Sequence, residues 1–129
     1  MRNLILLAIG LAVGVIGAAS VLNALGQRDA YPRGLMNVMQ HHYTALREDL
    51  RGNRCTTAPA DVGALGLLSR DVENAMYPDG SADPPFLEYE QRLDEGVTAA
   101  AAAGIDCVML KPAVDKITSA CDACHRQYR

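Results

Sequence analysis

The chain closes on CDACHRQYR, Cys121 to Arg129. Two thiols three residues apart, followed at once by an imidazole, make C-x-x-C-H, the attachment signature of c-type haem. The thiols form thioethers with the porphyrin, and the neighbouring imidazole becomes the proximal iron ligand. For one segment to do this, Cys121, Cys124 and His125 must share a face, and residues three and four apart share one on an α-helix. Rival readings of the pair are weaker. A thioredoxin-type C-x-x-C needs a βαβ context, which is absent, and a zinc site needs a second ligand pair, whereas Cys55 and Cys107 each stand alone.

Working back from this segment, the apolar spacing is helical throughout 30–129, and no run shows strand-like alternation rich in β-branched residues. Four helices are expected. The last carries Val114, Ile117, Cys121, Cys124 and Tyr128 on one seam; Pro112 either marks its start or kinks its first turn. The third has Asp83 as N-cap, Pro84 at its first position, a stripe of Phe86, Tyr89, Leu93, Val97 and Ala100, and Gly104 as its stop. The second runs from about Pro59 to Met76 with Val62, Leu65, Ser69 and Val72 in the seam, and Pro78-Asp79-Gly80 turns the chain. The first presents Met36, Met39, Tyr43, Leu46 and Leu50, and Gly52-Asn53 ends it.

Short connections favour antiparallel neighbours, so the expected fold is all-α, an up-down-up-down four-helix bundle. This topology sets the end of the last helix level with the start of the first. Met36 and Met76 then stand level with the iron as candidates for its sixth ligand. Met39 lies about one turn deeper, with His41 and His42 further still, and Met109, about 24 Å along the helix from His125, is out of reach. Phe86 and Tyr89 are expected to wall the cofactor pocket. Cys55 and Cys107 fall in connections at the opposite end, where a disulfide between them would close a long loop.

The N-terminal segment is of another kind. From Leu4 to Leu25 there are 22 residues without a charge, preceded by Arg2. A spanning helix needs about 20 apolar residues, which favours a retained transmembrane anchor, with Arg2 directing the rest of the chain across the membrane. Gly17-Ala18-Ala19 before Ser20 would equally serve a signal peptidase. Gly10, Gly14 and Ala18 form a small-xxx-small row suited to packing against another membrane helix. The chain is therefore divided into 1–27, anchor or signal, and 28–129, the bundle. All 15 Asp and Glu lie beyond residue 27, with all but one of the 12 Lys and Arg. That acidic balance gives no footprint for nucleic acid. Four cysteines in an exported domain fit an oxidising compartment.

The motif C-x-x-C-H-x-x-Y-R at the end of a last bundle helix resembles the class II cytochromes c, cytochrome c′ and its six-coordinate relatives. GLMNVMQHHY in the first helix resembles them more loosely. The resemblance implies one covalent haem c between the helices of a periplasmic protein that transfers electrons or binds nitric oxide or carbon monoxide. It places Met36 at the position from which the six-coordinate members take their axial methionine, and Arg129 near the haem edge. It leaves homodimerisation open. The expected function is thus a tethered one-electron carrier on the periplasmic side of the inner membrane, serving a membrane redox complex or another redox protein. The alternatives are a five-coordinate gas binder and, for location, a soluble periplasmic protein after cleavage. No nucleophile, base and orienting group stand together in the sequence, so an enzyme is not expected.

Overall fold

The computed structural model describes residues 2–128, and within them the side chains of all but 2–8 and 23–29. Among the described residues there are five helices and no strand: α1 (Arg2–Arg51), α2 (Ala58–Ser69), α3 (Val72–Met76), α4 (Pro84–Ala103) and α5 (Cys107–Gln127). The chain divides into two compact units, Met1–Arg33 and Gly34–Arg129.

The first unit is helical, and every described side chain from Ile9 to Leu22 is exposed. These include Leu11, Val13, Val15, Ile16 and Val21, so the apolar surface runs around the helix rather than along one stripe. Among the described residues no helix is long and apolar enough to cross a membrane. The charge-free stretch expected to span begins and ends in residues 4–8 and 23–25, whose side chains lie outside the described set.

The second unit is the bundle, and pairs of touching residues show its antiparallel order. Between α4 and α5, Tyr89 bonds Gln127, while Gly96, further along α4, meets Ile117, further back on α5. Between α1 and α5, Tyr43 bonds Thr118 and, past the end of α1, Cys55 is joined to Cys107. Gly66 of α2 faces Val97, and Glu73 of α3 faces Glu90, so α4 also runs against α2 and α3. The core lies between them, with Leu46, Leu65, Leu110 and Ile117 as its largest fully buried side chains. Gly96 permits a close approach of α4 to α5. A Cβ there would stand 2.9 Å from Ile117 Cγ1 and 3.1 Å from the Ile117 backbone nitrogen.

The helix ends follow local chemistry where that chemistry is strong. Asp83 caps α4 by accepting the Phe86 N–H at 2.9 Å, and Gly104, at φ 59°, lets its N–H turn back to the Ala100 and Ala101 carbonyls. Asp106 caps α5 through the Val108 and Met109 N–H groups, so the helix starts at Cys107 and Pro112 lies inside it. The ring removes the donor that would meet the Val108 carbonyl, but Val108 and Pro112 are both exposed, so water can satisfy that acceptor.

Two expectations are corrected. The first bundle helix does not begin near Met36: α1 is continuous from Arg2 through Pro32 to Arg51, the ladder on either side outweighing one missing N–H. The second expected helix is two helices. After Ser69 the Asp71 N–H bonds the Leu68 carbonyl three residues back, a tighter turn, and α3 then restarts at Val72. The restart buries Val72 and Ala75 and brings the Glu73 N–H to the Glu90 carboxylate at 3.3 Å.

Candidate haem site

The last two turns of α5 bring Cys121, Cys124 and His125 to one side of a cavity with about 830 Å3 of empty space, its open mouth included. Both thiols are free and half-buried. Burial, with smaller contributions from Asp122 and Cys124, pushes the Cys121 thiol up to about 11, and burial also raises Cys124. Across the cavity stands α1 with Met36, Met39, Gln40 and Tyr43; α4 adds Phe86, Tyr89, Glu90 and Leu93, and Leu65, Val72, Ile117, Ala120 and Asp122 complete the lining. Most of these groups are apolar. Two thiols and an imidazole on one helix face, set against an apolar slot, fit a porphyrin held through both sulfurs with its iron at the imidazole.

The sequence matches no family model, and no curated protein matches it. Solved structures do. A nitric oxide complex of a mutant cytochrome c prime from Alcaligenes xylosoxidans superposes with a TM-score of 0.69 at 21% identity, covering 80% of this chain and 93% of that one. Cytochrome c′ from Rubrivivax gelatinosus gives 0.66 at 19% identity, covering 78% and 93%. The fold is that of cytochrome c′.

Within this cytochrome c′ fold, six of the residues singled out from the sequence, Cys121, Cys124, His125, Met36, Phe86 and Tyr89, line the one cavity. Met36 and Met39 differ in setting: Met39 is part of the buried core, whereas Met36 is only partly buried and packs against it. Met76 is exposed and outside the lining, and Met109 is 60% exposed on the first turns of α5. His41 is exposed, and His42 turns away from the cavity to Asp61. Arg129 lies outside the described residues. Cys55 and Cys107 are joined, their Cα atoms 5.6 Å apart.

The structure adds residues that the sequence reading did not assign. Tyr128 donates its hydroxyl to Asp83 Oδ1 at 2.6 Å, so the carboxylate that caps α4 also holds the end of α5. Its ring meets Phe86 edge-on at 5.4 Å and Tyr89 at 6.1 Å, and Phe86 meets Tyr77 at 4.8 Å. These contacts brace the aromatic wall of the cavity. Burial within the cluster, together with the Asp83 carboxylate, raises the Tyr128 phenol above its ordinary value. Glu90 is the acidic group of the α4 wall. Burial raises its carboxyl above the usual range, against the opposing effect of the Glu73 N–H. The place of Tyr128 on the α5 seam was the available signal for its role; Glu90 lies off the apolar stripe of α4 and gave none.

Proposed function

We propose that this chain is a monohaem c-type cytochrome that carries single electrons on the periplasmic side of the membrane, tethered by its N-terminal helix near a membrane redox complex. The observation that carries this is the convergence of Cys121, Cys124 and His125 with Met36 on one apolar cavity. A bound haem would supply a one-electron iron couple. Cys121 and Cys124 would hold it covalently, and His125 would ligate the iron. Met36 would supply the second protein ligand in preference to Met39, because Met36 is only partly buried whereas Met39 belongs to the buried core. Phe86 and Tyr89 would help exclude water from the cavity. On this reading the protein is a carrier, not an enzyme. The apolar, exposed surface of residues 9–22 supports a helix that is covered in use by lipid or by another membrane helix. The mass of the mature protein checks this: it retains residues 1–19 if the helix is an anchor and loses them if it is a signal.

A second reading is favoured by the nitric oxide complex among the structural neighbours. On that reading the sixth position stays open and the protein captures nitric oxide or carbon monoxide. The spectrum of the reduced holoprotein with and without carbon monoxide separates the two. A low-spin spectrum that the gas leaves unchanged, converted by Met36→Ala into a high-spin form that binds the gas promptly, is the expected result. Prompt binding by the unsubstituted protein would rule out methionine ligation and favour the gas binder.

A further inference from the structure

Two consecutive side chains of α1 reach to two different helices. His42 Nδ1 lies 2.8 Å from Asp61 Oδ1 on α2, and Tyr43 Oη lies 2.7 Å from Thr118 Oγ1 on α5. Thr118 gives its own proton to the Val114 carbonyl at 2.8 Å, so the phenol of Tyr43 is the donor in the bond between α1 and α5. Arg47 lies over the Tyr43 ring, 5.5 Å from its centroid, and fixes the ring further. Leu35, Met39 and Leu46 bury α1 against the bundle, and the Cys55–Cys107 disulfide ties its far end to the start of α5. The Tyr43–Thr118 bond adds a directional contact between the two helices on the haem side of that tie.

Its location is informative. Tyr43 follows Met36 by two turns on α1, and Thr118 precedes His125 by two turns on α5, about 10.5 Å in each case. Because the two helices are antiparallel, these equal offsets put the bond at the same depth below both residues. Tyr43 also lines the cavity itself.

We propose that the Tyr43–Thr118 hydrogen bond is the spacer that sets the gap between α1 and α5 at the haem cavity, making Tyr43 a positioning residue for the distal side of the bound haem. The proposal rests on the haem reading above and holds whether or not Met36 ligates the iron. With the bond made, the α1 wall is held against α5 two turns from His125. With it lost, the Cys55–Cys107 disulfide still ties the far ends of the two helices, but the α1 wall beside the cavity is freer to move away from α5 and the distal side loosens.

The test is the rate of carbon monoxide binding to the reduced holoprotein, measured well below its unfolding temperature, together with the reduction potential. In the Met36→Ala background, where the sixth position is open, Tyr43→Phe is expected to change the rate by about threefold to tenfold, the equivalent of one hydrogen bond. Thr118→Val should do the same, the double substitution should add little to either, and Thr118→Ser, which keeps the hydroxyl, should leave the rate unchanged. If Tyr43→Phe lowers the melting temperature while rate and potential stay fixed in both backgrounds, the bond is structural only and the proposal fails. A protein that takes up no haem overturns the haem reading and the proposal together, whereas a haem protein with unchanged rates overturns the proposal alone.

Discussion

Replacing Cys121 and Cys124 together with alanine should abolish haem that survives denaturation. In the unsubstituted protein the haem-stained band on a denaturing gel should coincide with the polypeptide; in the double variant it should fall to background. Either single variant should keep a band, because one thioether is enough to hold the porphyrin to the chain. The expectation follows from where the thiols stand. Both are half-buried and free, one turn apart on α5, and they face the cavity rather than each other's partners elsewhere in the fold. Neither belongs to the fully buried core formed by Leu46, Leu65, Leu110 and Ile117, so their truncation to alanine should leave the apoprotein helical, as far-UV circular dichroism would show. Any haem still bound would then depend on His125 and apolar contact, which denaturation removes. A full-strength band from the double variant would mean that the attachment lies elsewhere.

What the sequence disclosed divides along the line between local and distant causes. The ends of α4 were legible because Asp83, Pro84 and Gly104 act on the backbone beside them. The seams of α1, α4 and α5 were legible because one face of each had to be apolar, and they placed Met36, Phe86, Tyr89 and the motif on a common cavity. The break after Ser69 was not. Arg70 and Asp71 carry no helix-stopping residue, and the turn there is held by the burial of Val72 and Ala75 and by Glu90, 17 residues beyond Glu73. Pro112 left two readings open because the answer depended on whether water reaches the Val108 carbonyl, a property of the folded surface. Tyr43 was legible as a seam residue, but its hydroxyl finds a partner 75 residues away, which periodicity cannot foresee.

Removing the disulfide should cost the protein stability without touching the haem. Cys55 is buried just beyond the end of α1, Cys107 is the first residue of α5, and they are 52 residues apart in sequence. By the loop-entropy account, cross-linking a loop of that length removes about 4 kcal/mol of freedom from the unfolded chain. The double substitution Cys55→Ala with Cys107→Ala should therefore lower the unfolding free energy by up to that amount, read from a denaturant titration, and reduced unsubstituted protein should behave like the variant. The haem side should not respond, because Cys107 precedes Cys121 by fourteen residues on the same helix, about 21 Å. Retained haem staining and an unchanged carbon monoxide spectrum in the variant would show that separation. Two free thiols in the denatured holoprotein, or a stability loss no larger than the roughly 0.5 kcal/mol of an ordinary surface substitution, would overturn this account.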